Sequence, residues 1–222
     1  MRLFADRADA GRQLADALAA HANDARAIVL ALPRGGVPIG YEIAVRLHIP
    51  LEVYVVRKLG VPGHEELAMG ALASDGTCVV DDDLIASLGI DEAALQEVIA
   101  REIDELRRRQ ITYRDALPQP EIAGKVAIVV DDGLATGATM RAAATALRLQ
   151  HPAAIVAAVP VAASRTAASL GRVVDRIVCL FTPEPFHAVG LYYENFEQTS
   201  DDEVRRLLTA AAARQTGRRA SA

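Results

Sequence analysis

Residues 125–140 read KVAIVVDDGLATGATM. Val126–Val130 is an uninterrupted apolar run of strand length, as expected of a strand covered on both faces. It delivers two adjacent carboxylates, Asp131 and Asp132, to its exit. A short loop with Gly133 and Gly137 follows, then a helix-period segment from Thr139 to Leu149 with Met140, Ala143, Ala144 and Leu147 on one face. Gly137 lets the backbone turn tightly, so that successive N–H groups and the hydroxyls of Thr136 and Thr139 point into one concavity. That concavity sits on a helix N-terminus, which favours a phosphate dianion. Two acids beside it would repel a polyphosphate. They suit a phosphate attached to a sugar, with the carboxylates accepting hydrogen bonds from vicinal hydroxyls. No Gly-Lys-Ser/Thr occurs, and the only other glycine cluster, GGVPIG from Gly35, lacks dinucleotide-loop spacing.

The flanking chain repeats the same grammar. Ala27–Leu32, Leu51–Val56, Ile155–Val161 and Asp175–Phe181 read as strands, and Thr77–Val80 as a short one. Helical spacing marks Arg7–His21, the segment opened by Pro38, a long stretch from Asp91 to about Tyr113, and Ser164–Leu170. Ser200 and Glu203 form a capping box for a final helix to about Ala213. Apolar strands alternating with amphipathic helices mean βαβ units and an α/β fold with a mostly parallel sheet flanked by helices. Ligands then bind at the carboxyl ends of strands. Three loops leave those ends: Pro33–Pro38, the polar, glycine-bearing Arg57–Gly70, and Asp131–Thr139. A second strand-plus-acids sequence, Val79–Asp82, has no Gly/Thr cradle after it and reads as surface.

Composition narrows the function. The chain has 222 residues, 51% of them hydrophobic, enough for a full core and against disorder. Lys and Arg number 24 against 29 Asp and Glu, a net charge of −5 that argues against a non-specific nucleic-acid or membrane-surface partner. The longest apolar stretch is too short for a membrane span, and Met1–Phe4 leads into charge rather than a signal sequence, so a cytoplasmic location is expected. Cys78 and Cys179 stand far apart in β-like runs and read as buried free thiols. Only Lys58 and Lys125 are lysines. A lysine surviving in an arginine-dominated chain suggests that a compact ammonium is wanted.

The segment Val126–Thr139 resembles the signature of the type I phosphoribosyltransferases, an apolar strand, two acids and a Thr/Gly loop. Pro33-Arg34-Gly35-Gly36 resembles the pyrophosphate loop of that family. Val56–Gly63, VRKLGVPG, resembles its Arg-Lys step and the start of a mobile catalytic loop. Ala135 stands where hypoxanthine–guanine members carry an aspartate. Adenine phosphoribosyltransferases are more similar there and at Arg57–Gly63, and the whole chain is most similar to stand-alone bacterial members whose acceptor is not established. The resemblance implies one domain over 1–213, with a helical insertion at about 91–116, a small C-terminal hood at about 182–197 and a frayed tail at 214–222.

It also implies the chemistry: transfer of 5-phosphoribosyl from phosphoribosyl pyrophosphate to a nitrogenous, purine-like base, with release of pyrophosphate. The 5-phosphate would lie on Ala135, Thr136, Gly137, Ala138 and Thr139, and the pyrophosphate on Arg34, Gly35, Gly36, Arg57 and Lys58. Asp131 and Asp132 would orient the ribose hydroxyls and offset a cationic sugar. Mg²⁺ would arrive with the substrate, needing no protein cage beyond Asp131 or Asp132. The loop at 59–70 would close against water, with Glu65 or Glu66 moving a proton at the acceptor and His64 near pyrophosphate. The hood segment Thr182–Phe196 resembles a purine-stacking segment, with Phe186 to stack and His187 or Glu194 to read the base edge. Its aromatics could equally pack on the core. A homodimer acting on small molecules is expected. The alternative is a regulator that keeps the fold to sense phosphoribosyl pyrophosphate or a nucleotide, which the net charge of −5 and the retained Arg57-Lys58 and glycine loop disfavour.

Overall fold

The computed structural model describes residues 2–114 and 120–219; of these, the side chains of Glu66, Arg114 and residues 216–219 are not described. Five parallel strands form the central sheet: β1 (Ala27–Ala31), β2 (Leu51–Val53), β6 (Val126–Val130), β7 (Ala154–Val161) and β8 (Arg176–Phe181), in the order β2-β1-β6-β7-β8. Between β2 and β6 lies a separate antiparallel sheet of β3 (Val56–Val61), β4 (His64–Ala73) and β5 (Cys78–Val80).

Period-2 geometry explains why the strands are apolar throughout. In β6, Ile128 and Val130 join a core cluster with Leu14, Ile39, Ile43 and Val204, from α1 (Arg7–Ala17), α2 (Gly36–Leu47) and α7 (Asp201–Arg219). Ala127 and Val129 face the other way, onto Met140, Ala143 and Leu147 of α5 (Ala138–Arg148) and Leu170 of α6 (Ser164–Leu170). Each buried Leu, Ile or Val contributes about 1.5–3 kcal/mol, so a polar substitution at either register is costly. The register Val29↔Ile128↔Val156 keeps like faces aligned across three strands.

The largest departure from expectation is Lys58–Gly70. It is not an irregular loop: it forms most of the β3–β4 hairpin, turning at Pro62–Gly63, with Gly63 at φ +75°. Leu59, Val61, Met69 and Leu72 are buried there, while the polar residues that suggest a loop stand at and near its tip. The glycines serve close approach. A Cβ on Gly70 would lie 2.3 Å from the Val79 carbonyl oxygen, and one on Gly60 2.8 Å from that of Glu65, where the pairing is bulged.

Smaller corrections follow. The second strand stops at Val53. A short helix, α3 (Asp82–Leu88), is capped by Asp81, which accepts from the Leu84 amide at 3.0 Å. Cys78 is exposed and Cys179 half-buried, so neither is the fully buried thiol expected. The insertion helix α4 (Glu92–Arg114) has Asp91 accepting from the Ala94 amide at 2.8 Å; its expected end at 116 lies outside the described residues. Leu95, Val98, Leu106 and Tyr113 pack it into the same cluster as the hairpin. The final helix continues to Arg219, past the expected end at 213; residues 220–222 lie outside the description. No described helix is long and apolar enough to cross a membrane.

Candidate active site

The loop after β6 is fixed from outside and open toward the cleft. Leu134 donates to the Val161 carbonyl at 2.9 Å, and the Ala163 amide donates back to Leu134 at 3.0 Å. The Thr166 hydroxyl donates to the Ala135 carbonyl at 2.6 Å. Gly137, at φ +71°, caps α5 without a side-chain bond of its own; in the first turn the Ala138 amide donates to the Thr136 hydroxyl at 3.4 Å, a long contact that a phosphate oxygen can replace. Thr136 and Thr139 are exposed beside them.

Asp131 and Asp132 stand at the strand exit, half-buried. Sequence reasoning missed the partner of Asp132. Arg7, 125 residues earlier, donates to its Oδ2 through Nε at 3.0 Å and Nη2 at 2.8 Å. Arg7 also donates to the Glu197 carbonyl at 2.7 Å and lies 3.9 Å above the Phe196 ring centre. Tyr193 donates to the Asp132 carbonyl at 2.6 Å. Asp131 accepts from the Asp132 amide at 2.9 Å. Burial, and then the neighbouring Asp132 carboxylate, push its carboxyl above the usual range; Arg7 partly offsets this.

The Pro33–Gly36 turn is pressed onto the same strand exit. A Cβ on Gly35 would fall 2.0 Å from Asp132 Oδ2, and one on Gly36 2.4 Å from the Val130 carbonyl oxygen, so only glycine fits. The Pro33–Arg34 peptide is cis. Arg34 pairs at 3.6 Å with Asp201 at the start of α7, which also accepts at 2.7 Å from the Tyr113 hydroxyl of α4.

Between the cradle and the hairpin opens a cavity of about 390 Å³ that Thr136, Ala138, Thr139, Arg57, Lys58 and Glu65 help to line. Pro33 and Tyr54 reach it as well. The cradle and Arg57-Lys58 therefore meet at one cleft, although they are separated by some 80 residues of chain, whereas Arg34, Gly35, Gly36, Asp131 and Asp132 are not among the residues lining it. The side chain of Glu66 lies outside the described residues. Phe186 and His187 do not line this cavity; Phe186 packs on Tyr192 with ring centres 5.4 Å apart, and His187 is exposed. Tyr193 meanwhile stacks on Phe4 and Phe196 at 5.3 and 4.9 Å, so part of the hood does pack its aromatics on the core. The α4 insertion contributes Arg101, Glu102 and Arg109 to the cavity wall. Glu102 accepts from Arg57 Nε at 2.7 Å. One signal for it was visible: an acid inside the apolar stripe Leu95–Leu106 must find a buried partner.

Comparison with known proteins shows the family and the fold. Residues 4–184 match the family model described as the phosphoribosyl transferase domain. Two proteins from strains of Mycobacterium tuberculosis, named "Putative phosphoribosyl transferase MT0597" and "Putative phosphoribosyl transferase Rv0571c", are each 46% identical over 211 residues, 95% of this chain. The chain spans about half the length of these curated relatives, 47%. The crystal structure of TT1426 from Thermus thermophilus superposes with a TM-score of 0.86 at 40% identity, covering 95% of this chain and 99% of that one.

Proposed function

The chain belongs to the phosphoribosyl transferase domain family, and from that premise we propose that its cleft transfers 5-phosphoribosyl from phosphoribosyl pyrophosphate to a nitrogenous, purine-like base. The observation that carries the reading is the convergence of the α5 cradle and Arg57-Lys58 on one cleft, with the acid pair at the strand exit that leads into the cradle. The ribose 5-phosphate lies on the amides of residues 135–139. The C1–oxygen bond to pyrophosphate breaks, a bond from C1 to the acceptor nitrogen forms, and the acceptor proton passes to a base in the cleft. Glu65, on the exposed part of the hairpin, is placed for that role. Arg57 and Lys58 stabilise charge moving onto the leaving group. The hairpin, backed by α4, limits access of water to the sugar.

The oxygen donors at the strand exit fit Mg²⁺ carried by the substrate, which when bound neutralises diphosphate charge. Asp131 is the carboxylate left for its waters and for the ribose hydroxyls, because Asp132 is already paired with Arg7. Phe186, backed by Tyr192, and His187 are proposed to meet the base. A cytoplasmic homodimer acting on small molecules, without nucleic acid or membrane, is part of the same proposal.

The test is pyrophosphate release from phosphoribosyl pyrophosphate and Mg²⁺ across a panel of nucleobases, with the nucleotide product identified by mass. A base-dependent release is expected. Tight donor binding with no release for any acceptor would replace transfer by sensing.

A further inference from the structure

The α4 insertion has no counterpart in the motifs that define the cleft, yet it forms one wall of it. We infer that Arg101 and Arg109 of α4 bind the diphosphate of the donor, completing with Arg57 and Lys58 a cationic wall opposite the 5-phosphate cradle. This inference rests on the proposed phosphoribosyl transfer and adds to it the residues that take the leaving group.

Three observations carry it. Arg101 and Arg109 line the same cavity as Thr136, Thr139, Arg57 and Lys58. Among the described side chains, Arg57, Lys58, Arg101 and Arg109 line the cavity with only Glu65 and Glu102 as acids, Glu105 holding Arg109 from outside it, a cationic lining that suits an anionic ligand. The arginines are also held in a particular way. Arg57 and Arg101 both donate through Nε to Glu102, at 2.7 and 3.4 Å, and Arg109 donates through Nε to Glu105 at 2.7 Å. Among the described residues these bonds use the Nε edge alone, so each guanidinium is oriented while its Nη donors stay available for phosphate oxygens. Finally, Glu102 can act as such an anchor because its side chain is only 10% exposed, whereas Arg57, Arg101 and Arg109 keep 31%, 58% and 31%. The acid is buried and the cations reach the cleft. The acceptor is a poorer candidate for this wall, since Phe186 and His187 lie outside the cavity.

Titration calorimetry of the full chain with two probes, inorganic pyrophosphate plus Mg²⁺ and ribose 5-phosphate, tests the assignment. Arg101→Gln with Arg109→Gln should weaken pyrophosphate by roughly tenfold or more and leave ribose 5-phosphate unchanged. Arg101→Lys with Arg109→Lys should recover part of the loss by restoring charge, which a purely structural defect would not allow. Unchanged pyrophosphate affinity in the glutamine variant, or equal weakening of both probes, would overturn the inference while leaving the transferase reading intact. A wild-type chain that binds pyrophosphate but not ribose 5-phosphate would instead remove the transferase reading of the cradle. Binding of neither probe would remove both.

Discussion

Replacing Arg7 by alanine should destabilise the fold by an amount the structure sets. Arg7 and Asp132 keep 11% and 19% of their side-chain surface exposed, with two N–H donors on one carboxylate oxygen. Removing one partner of a fully buried pair costs about 3–5 kcal/mol, and the residual exposure reduces this to about 2–3 kcal/mol. For a chain of this size each kcal/mol moves Tm by about 2–4 °C, giving a drop of about 4–12 °C. The drop should depend on pH. Arg7 is the cation that offsets the upward shift at Asp131, so its loss drives that carboxyl higher. An acid whose folded-state pKa lies above its unfolded value loses stability as pH rises from the unfolded value through the folded one. Because that carboxyl already stands at about 8 in the folded chain, the Arg7→Ala deficit should grow only above that value, and be larger at about pH 9 than at about pH 7. Thermal melts of wild type, Arg7→Ala, Asp132→Asn and the double variant measure it. The cycle should show coupling of about 1–2 kcal/mol. A Tm for Arg7→Ala within about 1 °C of wild type, or an equal drop in the Asp132→Asn background, would refute the reasoning.

Thr139→Asp should change Tm little, because the side chain is exposed, while weakening ribose 5-phosphate by roughly 10²-fold in calorimetry through a carboxylate set against the dianion. An unaltered Kd would move the phosphate out of the cradle. Asp131→Asn should raise Tm by about 2–4 °C near neutral pH, since it removes a carboxylate that burial and Asp132 disfavour. The gain should fade toward the ordinary aspartate value of 3.8, and melts showing no gain at neutral pH would contradict the assigned cause.

What could be read from the sequence divides by the range over which each feature closes. The strand, acid pair and cradle close within residues 126–139, and both-face burial plus one left-handed glycine are written locally. The β3–β4 hairpin was misread because Gly60 and Gly70 look like mobility letters. Their physical role depends on the Glu65 and Val79 carbonyls that press against them, and such neighbours are visible only once strands pair. Phe186 and His187 show the complementary limit: their residue types suit a base, but their place, outside the cavity lining, depends on how the chain returns after β8. The ion pairs are the least legible. Glu102 signals at least that a partner must exist, by standing in an apolar stripe, without saying that it is Arg57, 45 residues upstream. Arg7 signals nothing, since an arginine at the start of a surface helix is commonplace. Only the fold brings it to Asp132, and with it the unequal surroundings of two adjacent aspartates: one paired with a guanidinium, the other held, among the described residues, only by the Asp132 amide. That asymmetry makes the two single asparagine variants the sharpest comparison available. They remove the same charge one residue apart, yet Asp132→Asn should lower Tm where Asp131→Asn raises it. Equal effects of the same sign would mean that the acid pair acts as one unit.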